Sequence, residues 1–338
     1  MELYYYHHMS PLEQEVYRAL REGFGQVRPA VVVPRLDGKA LGEVLFKLRL
    51  DLPELFYVTG FSYRFHPAGS HVEVLPEYLF PKAKVLTHQK AIQARVERLC
   101  RPLQKKSPWE QVEAIHDLLC TTVHYDKLKK PYSHEVIGPL TQGVGVCEGI
   151  AKSVKLLCDT LGIWCILVLS EADPEHGVKY RHAWNIVKLG GQYYHLDATF
   201  DNTLSQGGEL RRDYLFLDDK RAFRDHLPAL YPVPGCTDSG KFYYKTAKRS
   251  FTKPEEVASR ARQAMRKDQT LVFHWRGGPL TADVLGELVK LLEDTAREKD
   301  RHARVQVNRP QAVFQVTFPK EETAAAVVEE EANEGEML

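Results

Sequence analysis

The sequence predicts an α+β fold, and three observations carry the prediction. A helical pattern followed by strand candidates opens the chain. A striped helix leads into a buried strand and a hairpin in the middle, and a β-α-β-β order closes it. The chain has 338 residues, 43% hydrophobic and 27% charged, an ordinary balance for a globular protein and a length that suits two or three domains. Lys plus Arg number 46 and Asp plus Glu 45, so the net charge is +1. That balance gives no reason to expect nucleic acid, an anionic membrane or an acidic polymer as a partner. The start, MELYYYHHMSPLEQ, lacks the basic segment and apolar run of a secretory signal, and no stretch reaches the roughly 18 apolar residues of a membrane helix. A cytoplasmic protein is expected.

The first unit is expected over 1–104. A helical pattern covers Glu13 to Phe24, FYVTGFSYRF (56–65) and HVEVLPEY (71–78) read as strands, and a second helix runs from Lys90 to Cys100. The YYYHH start is expected to pack on this unit or to be partly disordered. The middle unit, 105–240, opens with KKSP as a short linker. PWEQVEAIHDLLC follows as a helix, with Val112, Ile115 and Leu119 on one face, and KLKK (127–130) reads as a solvated loop. Apolar residues recur at 147, 151, 154, 158 and 161, the stripe of a helix packed on a core, and Gly162 can end it. IWCILVLS (163–170) reads as a buried strand and ADPEHG as a turn. RHAWNIVKL and QYYHLDATF read as two strands joined by Gly190 and Gly191. The last unit, 241–320, holds the strand TLVFHW (270–275), the helix TADVLGELVKLLEDTAREK and the strands ARVQV and AVFQVTF. The tail, 321–338, carries seven Glu and few large apolar residues and is expected to be disordered.

Six cysteines are present: Cys100, Cys120, Cys147, Cys158, Cys165 and Cys236. None forms a CxxC pair, so no structural zinc site is indicated. Free cysteines in a reducing compartment are mostly buried and inert. Cys158 sits mid-helix on the stripe and Cys165 inside a buried strand, so packing accounts for both. Cys147 stands apart, in TQGVGVCEGIAKS (141–153). It holds the first position of the stripe, in the first helical turn, where the dipole and free N–H groups favour a thiolate. Gly143, Gly145 and Gly149 spell GxGxxxG, one residue off the dinucleotide fingerprint. No clear strand leads in and no P-loop Lys follows, so a phosphate cradle is set aside. The glycines are expected to let the backbone approach a ligand.

A nucleophilic thiolate needs a base, and the base an orienter. If Gly190 and Gly191 form a two-residue turn, Leu189 opposes Gln192, Trp184 opposes Asp197 and His182 opposes Thr199. His182, Trp184 and Asp197 then share a face, which makes His182 and Asp197 diagonal neighbours about 7–8 Å apart, or less at Cβ. A lone strand histidine is more often structural, but the order Cys, His, Asp changes that balance. Trp184 could shield the pair from water or simply pack. His195 is expected to be a satisfied surface histidine, and Asp201 a turn residue.

GVGVCEGIAKSVKLLCDTLGI, RHAWNIVKLGGQYYHLDATFD and their order resemble the transglutaminase-like superfamily, a branch of the papain-like cysteine enzymes. The likeness covers 108–236, and the arrangement of the flanking units is similar to that of bacterial proteins carrying this domain. It implies a helix bearing Cys147 packed on an antiparallel sheet bearing His182 and Asp197, flanked by small α+β units. It also implies acyl transfer from peptide or protein amides through a thioester. Cys147 would be nucleophile, His182 base and acid, and Asp197 orienter. Oxyanion donors would come from the Cys147 backbone N–H and from Gln142 or Tyr125. The CxxC zinc ligands of relatives that remove N-glycans are lacking, and no metal or cofactor is expected. The partner is expected to be a protein or peptide substrate. A scaffold that keeps the fold without turnover is the alternative.

Overall fold

The computed structural model describes residues 2–65, 69–173, 175, 178, 181–206, 208–320 and 328–330. A four-stranded antiparallel sheet stands at its centre, in the order Cys165–Leu169, Ala183–Leu189, Gln192–Leu196, Leu215–Leu217. The helix Cys147–Thr160 packs against it. A three-stranded antiparallel sheet, Val31–Pro34, His71–Tyr78 and Val58–Phe65, lies in the N-terminal part. A five-stranded mixed sheet built on Leu271–Trp275, Val313–Thr317 and Arg304–Asn308 lies in the C-terminal part.

Local rules place the middle elements. The helix Cys147–Thr160 ends at Gly162, whose φ of +74° suits glycine. The Gly162 N–H donates to the Asp159 carbonyl and the Ile163 N–H to the Cys158 carbonyl, which completes a Schellman close. Gly190 and Gly191, at φ +57° and +82°, make the two-residue turn, and Leu189 pairs with Gln192 as the register requires. The helix Pro108–Thr122 starts on a capping box in which Ser107, from the KKSP stretch, and Glu110 satisfy each other's backbone N–H.

Several expectations need correction. The hairpin ladder ends at Asn185 and Leu196, and Ala198–Ser205 is a helix, so residues 198–200, read as the end of the strand QYYHLDATF, are helical. Asp197 causes this. Its side chain is the N-cap and accepts the N–H groups of Thr199 and Phe200, which starts a helix in place of the strand. His182 therefore does not oppose Thr199. Asp201 lies inside that helix, fully buried, and not in a turn. The helix expected from Lys90 begins at Lys82, because a run of polar side chains hides its first turns. Two helices were illegible as such: Gly38–Asp51, and Pro254–Lys267, whose buried stripe is mostly small residues. ADPEHG falls partly outside the described residues, with Asp173 and Val178 bridging antiparallel across it. Within the tail, Val328–Glu330 pairs in parallel with Val305–Val307, so these three residues are a strand, not disordered chain; the rest of 321–338 lies outside the described residues.

One apolar core runs through the N-terminal and middle parts. Leu41, Val44, Leu45 and Leu48 belong to the same buried cluster as Ile150, Val154 and Leu157 of the cysteine helix. The YYYHH start forms a helical turn, Tyr4–His7, and crosses to the middle part. The Tyr5 hydroxyl donates to the Leu167 carbonyl at 2.5 Å, while the Tyr5 and Tyr6 N–H groups bind the Asp51 carboxylate. The C-terminal part has its own core around Phe273, Phe314, Leu288 and Leu292, and meets the middle part through Tyr214, Leu217, Phe242, Val272 and Val313. No helix among the described residues is long and apolar enough to cross a membrane.

The glycines before and within the cysteine helix admit neighbouring protein chain. A Cβ on Gly149 would stand 2.2 Å from the Ser133 carbonyl oxygen, and one on Gly145 would stand 2.6 Å from Pro139 Cγ. Gly149→Ala should therefore cost about 1–3 kcal/mol, the usual range for forcing atoms into a packed site. Urea denaturation measures this, and an unchanged midpoint would contradict the tight packing of 133 on this helix.

Candidate active site

Cys147 is the first residue of its helix, after Val146 at the N-cap, and no side chain caps that end. The residue is 6% exposed. Burial pushes the thiol pKa up to about 12, with the charges of Glu148 and Asp197 adding to the rise and the backbone N–H groups of Ala183 and Glu148 opposing it. The helix start alone predicts a lowered value, so enclosure outweighs it here. Ala183 directly follows His182, so its N–H ties the sulfur to the strand that carries the imidazole.

His182 and Asp197 meet, by a route the hairpin alone does not give. His182 stands just before its strand and Asp197 just after its own, and Nε2 lies 2.6 Å from Asp197 Oδ2. The imidazole is stacked between Phe200, at 4.5 Å and 21°, and Trp184, at 5.9 Å and 16°. Its other nitrogen, Nδ1, is buried and has no hydrogen-bond partner. Trp184 is 1% exposed and donates from Nε1 to His195 Nδ1 at 3.0 Å. His195 is consequently not a surface residue. It is buried, and its Nε2–H donates to Asp219 Oδ1 at 2.8 Å. Asn185 donates to the Ala151 and Ile166 carbonyls and so fastens the hairpin to the cysteine helix.

The Asp197 carboxylate carries four donors. Oδ1 accepts Thr199 N–H and Phe200 N–H, and Oδ2 faces both His182 Nε2 and, at 3.0 Å, His226 Nε2. Burial alone would raise its pKa, but the two imidazoles outweigh it and hold the carboxyl well below the usual range. His226 is missing from the sequence reading, because RDHLP carries no motif. Its Nδ1 sits 3.0 Å from Asp225 Oδ1 and 3.1 Å from the Ala222 carbonyl. Burial lowers the His226 pKa, yet these acceptors raise it to about 9.

A second constellation lies behind the sulfur. Lys152 is buried and binds Glu135 at 2.8 Å and Glu148 at 2.7 Å, and Arg49 of the N-terminal helix joins the same two carboxylates. Burial would raise the Glu148 pKa, but Lys152, His134 and Arg49 bring it well below the usual range. The sequence shows Lys152 four residues after Glu148, yet nothing in it marks Glu135 or Arg49 as partners.

Of the two expected oxyanion donors, Tyr125 is the one enclosed near the thiol. Its hydroxyl is buried with no partner, and burial together with the Cys147 and Asp197 charges raises its pKa. Gln142 is exposed and donates to Thr141 Oγ1 at 3.3 Å. A cavity of about 510 Å³ opens over Cys147, walled by Phe46, Val146, Leu169, Ala172 and Ala183, with Lys129, His134, Glu148 and Arg181 also lining it. Lys129, from the expected solvated loop, thus reaches the site. Phe46 comes from the N-terminal part.

Among the described residues two sets of side chains have a metal-ligating composition, His182 with Asp197 and His226, and His195 with Asp219 and Cys236. In both, the imidazole Nε2–H groups are engaged with carboxylates, and Trp184 fixes the His195 tautomer by donating to Nδ1. A further Cys, His and Asp grouping, Cys120 with His116 and Asp201, differs from the first. His116 is fully buried, with Nε2 on Asp201 at 2.9 Å and Nδ1 on Asp117 at 3.0 Å, so neither nitrogen is left for a proton transfer.

Residues 95–198 match the family model described as the transglutaminase-like superfamily. This stretch is a transglutaminase-like domain. The mouse (Mus musculus) kyphoscoliosis peptidase is 25% identical over 170 residues, which is 44% of this chain and 26% of that protein. The chain thus spans about a quarter of the length of that curated relative. Among solved structures, a TGase aligns over 50% of this chain and 51% of its own at 13% identity, with a TM-score of 0.29. Menin aligns over 67% and 53% at 15% identity, with a TM-score of 0.27.

His226 makes the stability of the fold depend on pH. His226 is raised above its unfolded value of 6.5 to about 9, so its contribution is fully present below about pH 6.5 and disappears as pH rises through 9. The full effect is about 3 kcal/mol. Urea midpoints of the wild-type protein should fall between pH 6.5 and 9.5, and His226→Gln should flatten that fall. Parallel curves for the two proteins would refute the assignment.

Proposed function

We propose that this protein is a cysteine-dependent acyl-transfer enzyme acting on peptide or protein amides. Cys147 is the nucleophile, His182 the general base and then acid, and Asp197 the orienter of His182. The observation that carries the reading is the state of His182. Its Nε2 is fixed on a buried carboxylate, its ring is clamped by two aromatics, and its Nδ1 is buried and unspent beside the strand that touches the sulfur. A free nitrogen held that firmly is what a proton shuttle needs.

The steps follow from these roles. His182 takes the thiol proton as sulfur attacks the amide carbonyl carbon. The tetrahedral oxyanion forms near the Cys147 backbone N–H and the Tyr125 hydroxyl. His182 returns the proton to the departing amine nitrogen, the C–N bond breaks, and a thioester remains. Water or a second amine then attacks, giving up its proton to His182, and the C–S bond breaks as His182 passes that proton to the departing sulfur, which releases an acid or a new amide and restores the thiol. Whether the reaction is hydrolysis or transamidation depends on which acceptor reaches the thioester. Six free cysteines support a reducing, cytoplasmic setting.

The high pKa of the enclosed thiol favours one other reading, a transglutaminase-like scaffold that binds proteins without turnover. Cysteine alkylation by iodoacetamide, resolved by mass spectrometry from pH 5 to 9, separates the two. Of the six cysteines, Cys147 should react fastest at neutral pH, and His182→Ala should slow it at least tenfold. Slow reaction that ignores His182 would favour the scaffold. For the enzyme, Tyr125→Phe should lower kcat on a peptide amide about 10²- to 10³-fold with little loss of stability, since the hydroxyl has no partner to leave behind. A kcat within threefold of wild type would remove Tyr125 from the oxyanion site.

A further inference from the structure

His226 shares the Asp197 oxygen with His182 and is held from the other side. Its Nε2 is 3.0 Å from Asp197 Oδ2 and its Nδ1 3.0 Å from Asp225 Oδ1. Each imidazole nitrogen faces an anionic acceptor, so both carry protons and the ring is a cation. It lies 5.5 Å from the His182 ring, edge-on to Trp184 at 4.9 Å, and 4.8 Å from Phe200. The Asp225 carboxylate is itself fixed. It accepts the Tyr214 hydroxyl at 2.5 Å and lies 3.4 Å from Gln311 Nε2. Asn308 donates to the same Tyr214 oxygen at 3.2 Å. Asn308 ends one strand of the C-terminal sheet, and Gln311 sits in the turn to the next.

We propose that His226 is a positioning residue for the triad, a cation that takes part of the Asp197 charge away from His182 and is held in place by the C-terminal part of the chain. This rests on the acyl-transfer reading above. Two effects act on His182 in one direction. The shared oxygen gives less stabilisation to a His182 imidazolium than an unshared carboxylate would. The positive His226 ring also repels a second cation 5.5 Å away. Each effect disfavours the protonated form of His182, so the proton it takes from the thiol is readily passed on to the leaving amine. The titratable groups facing His226 among the described residues are Asp197, Asp225, His182, His195 and Tyr214. The first two are the carboxylates among them, and both are in hydrogen-bond contact with it.

The test is the pH profile of Cys147 alkylation in wild type, His182→Ala, His226→Gln and Asp225→Asn. Gln keeps a donor toward Asp197 without the charge. With the cation gone, the acid-side midpoint, which reports His182, should rise by about one unit, and the plateau above it should rise roughly tenfold. Asp225→Asn removes the anion that keeps Nδ1 protonated and should move the midpoint the same way by less. If His226 is only structural, His226→Gln lowers the plateau or leaves the profile unchanged without moving the midpoint, and the proposal falls while the response to His182→Ala keeps the triad. If Cys147 ignores His182→Ala, the acyl-transfer reading fails and this proposal with it. Nitrogen-15 spectra of the wild-type imidazoles need no variant. They should show both His226 nitrogens protonated at pH 7, and a neutral tautomer would overturn the proposal.

Discussion

The buried Asp197 carboxylate is the interaction on which the middle of this molecule depends. An anion with almost no solvent is sustainable only if donors replace the water it has lost. Four do so here: two backbone N–H groups at a helix start and two imidazoles. The first pair makes Asp197 an N-cap, which turns the chain out of the sheet and sends Ala198–Ser205 back across the structure. The second pair makes it the anchor of a histidine cluster. One side chain thus decides both where the strand ends and how His182 points. This is why helix and site are inseparable, and why Asp201, one turn later, is buried on His116 and not free in a loop.

Behind the sulfur the logic repeats with opposite charge. Lys152 would be costly to bury alone, and two glutamates with Arg49 surround it. Arg49 arrives from the N-terminal helix, and Phe46 of the same helix lines the cavity over Cys147. From the other end, Asn308 and Gln311 reach Tyr214 and Asp225. Both flanking parts therefore touch the environment of the candidate site through polar contacts, and neither is a passive appendage.

Much of this was legible in the chain. The cysteine helix could be read from its stripe and its closing Gly162, and the hairpin from two glycines that fix a register. Cys147 at a helix start followed from the stripe, and a family likeness pointed to His182 and Asp197, which meet beyond the end of the ladder, where Asp197 caps a helix. What could not be read depended on distant partners. His226 sits in a loop with no periodicity, and only the fold carries it to Asp197. Lys152 looks like one of many helical lysines until Glu135 is folded beneath it. His195 looks like a strand-end histidine until Trp184 and Asp219 close on its two nitrogens. The strand reading of DATF failed because a short capping interaction outweighed β-favouring residues. Burial of the thiol raises a pKa that the helix terminus alone would lower, since burial is a property of the whole fold and not of a local pattern.

The apolar core that joins Leu41, Val44 and Leu48 to Ile150, Val154 and Leu157 has a consequence for what counts as a module. The stretch that matches the family model, 95–198, ends inside this core on one side and one residue past the anchoring aspartate on the other. Cut out at those limits, it would leave an oily face bare and its helix cap without the turn it begins. The stretch that the family model covers is therefore smaller than the body its core belongs to. In this chain the portable piece of ancestry and the independent piece of matter have different borders, and any graft or chimera must follow the second.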